Sequence, residues 1–227
     1  MKTYIVIGGS SGIGFALVNL LLNSNNVINI SRTKPNINNA NLTHFTCDAL
    51  KNELPKITHA DGLIYCPGSI NLKPFERLNI EDFKHDFEIN VLGAVKAIQT
   101  YLPILKKGVN SSIVLFSTVA TALGMPFHTS IATSKSGIEG LVKSLAAELA
   151  PNIRINAIAP TVTNTPLASK LLRNDRMVET ITERHPLKKI LSPEEVASMA
   201  EYLISEKAES ISGQIFKLDS GIVTLKI

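Results

Sequence analysis

Three glycines near the start of the chain have the spacing of a phosphate-binding turn. Gly8, Gly12 and Gly14 follow a β-branched apolar run and precede apolar residues at helical spacing. Gly8 suits a tight turn, Gly12 lets the main chain approach a pyrophosphate, and Gly14 lets a helix pack close to its strand. The free N–H groups at the start of that helix would face the phosphates. This stretch therefore predicts a dinucleotide-binding site.

Two further residues follow the next apolar runs, where an adenosine would be bound. Arg32 follows the predicted strand Val27–Ser31, and an arginine at this place accommodates a ribose 2′-phosphate, whereas an acidic residue binds the 2′-hydroxyl. Arg32 therefore favours NADP over NAD, although it could be an ordinary loop cation. Asp48 ends the predicted strand His44–Asp48 and either holds the adenine or caps the following turn.

Composition excludes several classes of protein. The 227 residues carry 23 basic and 19 acidic side chains, a net charge of +4, with the basic residues scattered and no Trp, so we expect no nucleic-acid partner. Two cysteines inside apolar runs suit reduced thiols in a cytoplasmic protein. Met1 and Lys2 lead directly into a strand, so we expect no signal peptide, and no apolar run is long enough to predict a membrane span. The spacing of the histidines predicts no metal site.

Apolar runs that predict strands alternate with longer stretches of helical spacing along the whole chain. This alternation, without a linker, predicts one α/β domain over residues 1–227, with a doubly wound parallel sheet covered by helices on both faces. The predicted strands cover 2–7, 27–31, 44–48, 62–66, 112–117 and 154–159, and the two longest predicted helices cover about 81–106 and 134–150.

Motifs spread over the chain resemble those of the short-chain dehydrogenase/reductase family. They are GGSSGIG at 8–14, NVLGA at 90–94, SKSGIEGLVKSLAAELA at 134–150, RINAIAP at 154–160, Thr165-Pro166, SPEEVA at 192–197 and SGQIFKLDSG at 212–221. The resemblance implies a single Rossmann-like three-layer domain with a seven-stranded parallel sheet. It also implies an oxidoreductase acting on a small molecule, usually as a homodimer or homotetramer, and Arg32 favours NADP(H) as its cofactor.

The resemblance also implies roles for individual residues. Asn90 corresponds to the helix asparagine that supports the active-site lysine through water, and Thr118 falls at the catalytic serine position, with Ser117 as the alternative register. The family motif YxxxK is present as Ile131 to Lys135, so the lysine is retained and the tyrosine is not. The implied cofactor-binding residues are Gly8, Ser10, Ser11, Gly12, Ile13, Gly14, Arg32, Asp48, Gly68, Lys135, Pro160 and Thr165.

The loss of tyrosine requires another proton donor if the protein is an enzyme. His128 lies three residues before Ile131, in a segment that lines the substrate pocket in the family. An imidazole titrates near neutral pH, so we expect His128, with Thr118 and Lys135, to supply the proton. The alternative is a pocket-wall residue without a catalytic part.

The segment from 164 to 184 is implied to be a mobile substrate lid. Thr165 would contact the nicotinamide carboxamide, cap a helix over 166–172, or do both. Lys170, Arg173, Arg176 and Arg184 could meet an anionic substrate, but interleaved acidic residues favour a solvated face. Ser192 to Glu195 is a helix capping box.

Two functions fit these observations. The first is an oxidoreductase with a non-standard proton donor that reduces a carbonyl or C=C bond, or oxidises an alcohol. The second is a catalytically inactive NADP(H)-binding sensor or structural subunit. Retention of Asn90, Thr118 and Lys135 favours the enzyme, and the loss of tyrosine favours the binding protein.

Overall fold

The computed structural model describes residues 1–226, which contain seven strands in one sheet. The strands are β1 (Thr3–Ile7), β2 (Asn26–Ser31), β3 (Leu42–Thr46), β4 (Gly62–Tyr65), β5 (Ser111–Phe116), β6 (Ile153–Pro160) and β7 (Ile215–Leu218). All neighbouring pairs are parallel, in the order β3-β2-β1-β4-β5-β6-β7. The predicted doubly wound α/β fold is confirmed. The first six strands lie within two residues of their predicted limits, and β7 is the seventh strand that the family resemblance implies.

Residues 1–226 form six α-helices, four of which pack against the two faces of the sheet. They are α1 (Gly12–Leu21), α2 (Ile80–Phe87), α3 (Gly93–Leu105), α4 (Thr129–Leu149), α5 (Asp175–Arg184) and α6 (Pro193–Ile204). One apolar core layer packs α3 and α4 against the sheet, and the other packs α1 and α6 against its opposite face. Since the central strands of a doubly wound sheet are buried on both faces, they contain continuous apolar runs such as Tyr4–Ile7 and Ile113–Phe116, whereas the edge strand β3 contains three polar residues.

Strands β2 and β3 are added on one side of β1, and strands β4 to β7 are added on its other side. The strand order therefore reverses at the boundary between the neighbouring strands β1 and β4. The loops after these two strands leave on opposite faces, because α1 packs in one core layer and α3 in the other. A crevice therefore opens beyond their carboxyl ends, which is where open parallel sheets bind ligands. The glycine loop after β1 forms one wall of this crevice, and Cys66 to Ser69 after β4 form the other.

The predicted helix over 81–106 has the right extent but not a uniform hydrogen-bonding pattern. Between α2 and α3, Glu88–Leu92 forms a π-helical turn, and Asn90 lies at its centre. The Tyr65 hydroxyl donates to the Ile89 carbonyl oxygen at 2.7 Å within this turn. Short π segments inside helices often occur at functional sites, because they turn a side chain away from the regular helical positions.

Two predicted helix limits are wrong. Helix α4 begins at Thr129 rather than at 134, because the Thr133 hydroxyl bonds the Thr129 carbonyl at 2.8 Å and Ser130 is buried against α2. The predicted helix over 166–172 is a single 3₁₀ turn, Pro166–Ala168. The predicted capping box of α6 is confirmed, since Ser192 and Glu195 exchange side-chain and backbone hydrogen bonds.

Within residues 1–226, no helix is long and apolar enough to cross a membrane. Over the same residues, no group of three His, Cys, Asp or Glu side chains is placed to hold a metal ion.

Candidate active site

The glycine loop is packed so closely that side chains cannot be added to it. Gly8 has a positive φ of 85°, a conformation that favours glycine. A Cβ on Gly14 would lie 2.3 Å from the Gly8 carbonyl oxygen, so the start of α1 lies directly against the end of β1. The N-terminus of α1 consequently opens into the crevice, as the glycine spacing predicts.

Asn29 holds this loop from the neighbouring strand β2. Its Oδ1 accepts from the Gly9 N–H at 3.0 Å, and its Nδ2 donates to Ser31 Oγ at 2.9 Å. The side chain is fully buried. Asn29 was not predicted as a site residue, although a polar side chain inside the apolar run VINIS was a signal for it.

A first cavity of about 290 Å³ occupies the crevice. Its walls include the glycine loop, the ends of β2 and β3, the loop after β4 and the start of the 166–168 turn. Of the residues predicted to bind cofactor, it is lined by Gly8, Ser10, Ser11, Gly12, Ile13, Gly14, Arg32, Asp48, Gly68 and Thr165. The structure therefore brings these residues together around a space with the phosphate loop on one side.

Arg32 is an exposed residue that lines this cavity. Lys34, two residues further along the chain, is also exposed but does not line it. Asp48 lies two residues beyond the end of β3, and its Oδ1 accepts from the Leu50 N–H at 3.0 Å. Asp48 thus caps the turn and also lines the cavity, so the two roles considered for it are compatible.

A second cavity of about 180 Å³ adjoins the first. The two share lining residues at Gly68 and Thr165. The second cavity is lined mostly by apolar side chains, with Lys135 and His128 as its ionisable side chains besides Cys66. The predicted residues that line it are Ile13, Gly68, Thr118, His128, Lys135, Pro160 and Thr165.

Lys135 is the buried cation of this cavity, with 7% of its surface exposed. Its Nζ donates to the Phe116 carbonyl oxygen at 2.8 Å. Burial lowers the pKa of Lys135 from 10.5 to about 8, while the nearby Asp86 carboxylate opposes that decrease. The lysine is therefore close to its titration midpoint at neutral to mildly basic pH.

Asn90 does not line either cavity but lies directly behind Gly68. Its Nδ2 donates to Ser69 Oγ at 2.9 Å and to the Asp86 carbonyl oxygen at 2.7 Å. Its Oδ1 is buried and makes no hydrogen bond among residues 1–226. A Cβ on Gly68 would lie 3.3 Å from this oxygen and 3.5 Å from Lys135 Nζ, so both groups face the same space at the cavity junction.

The two neighbouring hydroxyls after β5 have different surroundings. Ser117 Oγ is buried and donates to Glu139 Oε1 at 2.6 Å. Thr118 Oγ1 accepts a 3.4 Å contact from the Ala120 N–H, and its own proton has no acceptor within the described residues. Both line the second cavity, and Thr118 is the one whose hydroxyl proton is not already committed.

His128 and Ile131 lie on the wall opposite the glycine loop. His128 Nδ1 lies 2.7 Å from the Pro126 carbonyl oxygen, so in the neutral ring Nδ1 carries the proton and Nε2 is an acceptor. Donating a proton from Nε2 requires the imidazolium. Ile131, one helical turn before Lys135, is 5% exposed and presents an apolar side chain to the cavity.

The segment that follows β6 closes one side of the second cavity. Thr165 Oγ1 accepts from the Ala168 N–H at 3.4 Å, so it caps the 3₁₀ turn while lining both cavities. His185 is buried and lies 2.7 Å from Thr161 Oγ1, which anchors the far end of α5. The four basic residues Lys170, Arg173, Arg176 and Arg184 do not line the second cavity, in agreement with a solvated face.

A buried polar cluster lies behind the second cavity, and its residues were not predicted from the sequence. Asp86 is fully buried in α2, and its two carboxylate oxygens accept from Ser69 Oγ at 2.6 Å and Ser130 Oγ at 2.5 Å. The signal was an aspartate between Phe83 and Phe87, in a helix face that otherwise packs against α4.

The residues present suit a nicotinamide dinucleotide. The close contact of Gly14 with Gly8 places the start of α1 at the first cavity. The unpartnered Asn90 Oδ1 and the Lys135 ammonium both lie near Gly68, at the junction of the two cavities. Backbone N–H groups at a helix start recognise phosphates, and an ammonium binds ribose hydroxyls.

The sequence pattern of the family described as "Enoyl-(Acyl carrier protein) reductase" matches residues 36–223. The chain is 38% identical over 148 residues to 3-oxoacyl-(acyl-carrier-protein) reductase FabG of Thermotoga maritima, covering 65% of this chain and 59% of that enzyme. It is 30% identical to a tropinone reductase homolog of Arabidopsis thaliana, covering 97% of this chain and 91% of the relative.

Among solved structures, 4-hydroxyisoleucine dehydrogenase complexed with NADH is similar over 100% of both chains, with 26% identity and a TM-score of 0.89. The cavities of this chain lie at the sheet edge where its strand order predicts a nucleotide site. With the family pattern matched over residues 36–223 and the Arabidopsis relative covered almost completely, the chain belongs to the short-chain dehydrogenase/reductase family of oxidoreductases.

Proposed function

We propose that the protein is an NADP(H)-dependent oxidoreductase that reduces a carbonyl or activated C=C bond of a small molecule, or oxidises an alcohol. One observation carries the proposal. The first cavity, beside the glycine loop, and the second, mostly apolar cavity meet at Gly68 and Thr165, and the buried Lys135 lies at their junction. A dinucleotide bound along the first cavity would present its nicotinamide to a substrate in the second.

In this proposal, different residues bind the cofactor and protonate the substrate. The N-terminus of α1 binds the phosphates, and the Lys135 ammonium binds the nicotinamide-ribose hydroxyls. When bound, the nicotinamide supplies or accepts a hydride. Thr118 donates a hydrogen bond to the substrate oxygen, and His128, as imidazolium, donates a proton to it from Nε2. Pro160 and Thr165 shape the place where the two cavities meet.

The second cavity indicates a neutral, largely apolar substrate. Its wall is formed by aliphatic side chains, and Lys135 is committed to the cofactor ribose in this proposal. The aliphatic lining residues are Ile13, Ile70, Leu72, Ile131, Val162, Leu167, Ala168 and Leu171. We propose that the segment from 164 to 184 acts as the substrate lid, since Thr165, Leu167 and Leu171 contribute to this wall.

Arg32 carries the proposed preference for NADP(H). We expect Arg32→Ala to weaken NADPH binding by roughly 10-fold or more, because a charge-assisted bond to a phosphate contributes about 1.5–3 kcal/mol. NADH binding should change little, because NADH has no 2′-phosphate. Titration of nicotinamide fluorescence measures both affinities.

Lys34→Ala is the matched control for Arg32. Lys34 is also exposed and basic but does not line the first cavity, so its removal should leave the ratio of the two affinities nearly unchanged. Equal weakening of NADPH and NADH by Arg32→Ala would contradict the assignment. Both cofactors must be titrated because 4-hydroxyisoleucine dehydrogenase, a protein of similar structure, was solved with NADH rather than NADPH.

His128 carries the proposed protonation step. We expect His128→Ala to lower kcat by about 10²- to 10⁴-fold, the usual contribution of a positioned general acid. NADPH affinity should be retained, because His128 lines the second cavity and not the first. The measurement is NADPH oxidation at saturating cofactor, and unchanged turnover would eliminate His128 as the proton donor.

A non-catalytic NADP(H)-binding sensor or structural subunit is the alternative function. Ile131 favours it, because this apolar side chain occupies the position that the family resemblance assigns to the proton-donating tyrosine. A protein of this kind would bind NADPH through the first cavity and leave the second cavity without turnover.

The decisive experiment is titration with NADPH and NADH, followed by a carbonyl-substrate panel monitored at the nicotinamide absorbance. Tight NADPH binding and oxidation by one substrate at ordinary enzyme rates supports the oxidoreductase. Tight binding without turnover across the panel supports the sensor. Failure to bind either nucleotide would overturn both proposals.

We also propose a cytoplasmic homodimer or homotetramer. Both cysteines, Cys47 and Cys66, are free thiols, as is usual in a reducing compartment. Phe87 and Leu92, at the ends of α2 and the π turn, are exposed apolar side chains beside α4 and suit an interface between copies. Light scattering after size-exclusion chromatography measures the state.

A further inference from the structure

Asp86 is a buried carboxylate that the proposed reaction does not use. It lies in α2, and its side chain is fully buried. Ser69 Oγ and Ser130 Oγ each donate to one of its oxygens, at 2.6 Å and 2.5 Å. A carboxylate with both oxygens accepting hydrogen bonds is the arrangement expected of the ionised form.

The same cluster reaches Lys135 through Asn90 and α4. Asn90 Nδ2 donates to Ser69 Oγ at 2.9 Å and contacts Ser134 Oγ at 3.4 Å, and Ser134 directly precedes Lys135. Ser130 lies on the same helix, five residues before the lysine. One buried anion and one buried cation are therefore packed on either side of Asn90, with hydroxyl groups filling the polar positions around them.

The other ionisable groups near Lys135 cannot replace this anion. Burial raises the pKa of the Cys66 thiol to about 12, so it is neutral at physiological pH. Glu139, one turn further along α4, is only partly buried, so water screens its charge, whereas Asp86 is fully buried. His128, on the cavity wall, is either neutral or cationic.

Asp82 lies one turn before Asp86 on α2. Its carboxylate is paired with Lys73 at 2.6 Å, at the partly exposed end of the cluster. Among the described groups around Lys135, Asp86 is consequently the buried carboxylate available to balance its charge.

We propose that Asp86 is the charge partner that keeps Lys135 an ammonium in the cofactor site. A buried cation without a compensating anion loses its proton, because the desolvation penalty applies to the charged form. Because position 131 is isoleucine, no phenol hydroxyl interacts with the Lys135 ammonium, which remains available to bind ribose hydroxyls. Asp86 acts through Lys135 and is a positioning residue. The functional consequence rests on the proposed function.

The sign of the effect follows from the chemistry of lysine. The ammonium is present below the Lys135 pKa of about 8 and is lost as the pH rises through it. Removing the Asp86 charge leaves desolvation unopposed by that carboxylate, so the midpoint moves to lower pH. We expect a decrease of about one pH unit or more, since a charge near a buried group shifts its pKa by about 1–3 units.

Asp86→Asn tests the charge because asparagine has nearly the same shape. The readout is the ¹³Cε chemical shift of Lys135 over pH 5 to 11, assigned by the signal that disappears in Lys135→Met. Ser130→Ala is the matched control, since it removes one hydrogen bond to Asp86 but leaves the negative charge. Asp86→Ser replaces Asp86→Asn if the latter does not fold, as judged by circular dichroism.

A midpoint near pH 8 in the wild type and in Ser130→Ala, with a lower midpoint in Asp86→Asn, supports the proposal. An Asp86→Asn midpoint equal to that of the wild type overturns it. This titration needs no substrate, so it separates the proposal from the oxidoreductase function. A shifted midpoint in a protein without turnover would contradict the proposed enzyme and leave the charge pairing intact.

Discussion

Gly14→Ala is expected to destabilise the protein and to weaken NADPH binding by about 10- to 100-fold. The new methyl group would lie 2.3 Å from the Gly8 carbonyl oxygen and 3.0 Å from its carbonyl carbon, both of them backbone atoms. Such overpacking costs typically about 1–3 kcal/mol, and each 1.4 kcal/mol is a factor of about ten in affinity where the loop must move.

Fluorescence titration gives the dissociation constant, and urea unfolding gives the change in the free energy of unfolding. Gly140→Ala is the control, because a Cβ at this exposed position of α4 has no neighbour within 4 Å. That variant should be unchanged or more stable by about 0.5–1 kcal/mol, the usual gain from replacing a helical glycine. NADPH binding of wild-type strength by Gly14→Ala would contradict the assignment of the loop.

In a His128→Ala background, Ile131→Tyr is expected to raise kcat by about 10²-fold or more, because it supplies a positioned acid that this background otherwise lacks. Ile131 lines the second cavity one helical turn before Lys135, and the adjoining space of about 180 Å³ can receive a larger side chain. The nearby ammonium stabilises the phenolate and so lowers the pKa of a new phenol, which is about 10 when unperturbed.

Ile131→Phe is the control that distinguishes the effect of the tyrosine hydroxyl group from the effect of the aromatic ring. It introduces a ring of the same size without an acidic proton, so kcat should not rise. The measurement is NADPH oxidation with the best substrate of the panel, for His128→Ala alone and with each substitution at position 131. Equal rates in the Tyr and Phe variants would show that position 131 does not face the reacting oxygen.

Ile131→Tyr also distinguishes the two proposed functions. If the wild type is an enzyme that uses His128, then adding His128→Ala to Ile131→Tyr should have a smaller effect than in the wild type, because a second donor is present. If the wild type only binds NADP(H), the tyrosine variant should acquire turnover that the wild type lacks.

The fold was predictable because its determinants are local. Parallel strands buried on both faces contain continuous apolar runs, as in Ile113–Leu115 and Ala157–Ala159, and the helices between them show the longer apolar period. The glycine loop was predictable for a similar reason, since a turn with a positive φ and a close helix contact allows few residues other than glycine. These features depend on residue type and spacing alone.

Element limits were predictable only where a local signal marks them. Ser192 and Glu195 satisfy each other's backbone groups within one turn, and α6 begins where predicted. The start of α4 is five residues earlier than predicted because Thr129 and Ser130 resemble loop residues in sequence. Their helical conformation depends on contacts of Ser130 with Asp86, which is 44 residues away.

The sequence by itself determined the parallel sheet, the phosphate loop, the retained Lys135 and the absence of a tyrosine at position 131. Only the tertiary structure decided that Ser117 is committed to Glu139 while Thr118 keeps its proton, and that Asp86, Ser69 and Ser130 surround one buried charge. The physical reason is that burial and pairing of polar groups depend on residues distant in the chain. No periodicity records those contacts, whereas the conformational requirements of a glycine turn are contained within a few residues.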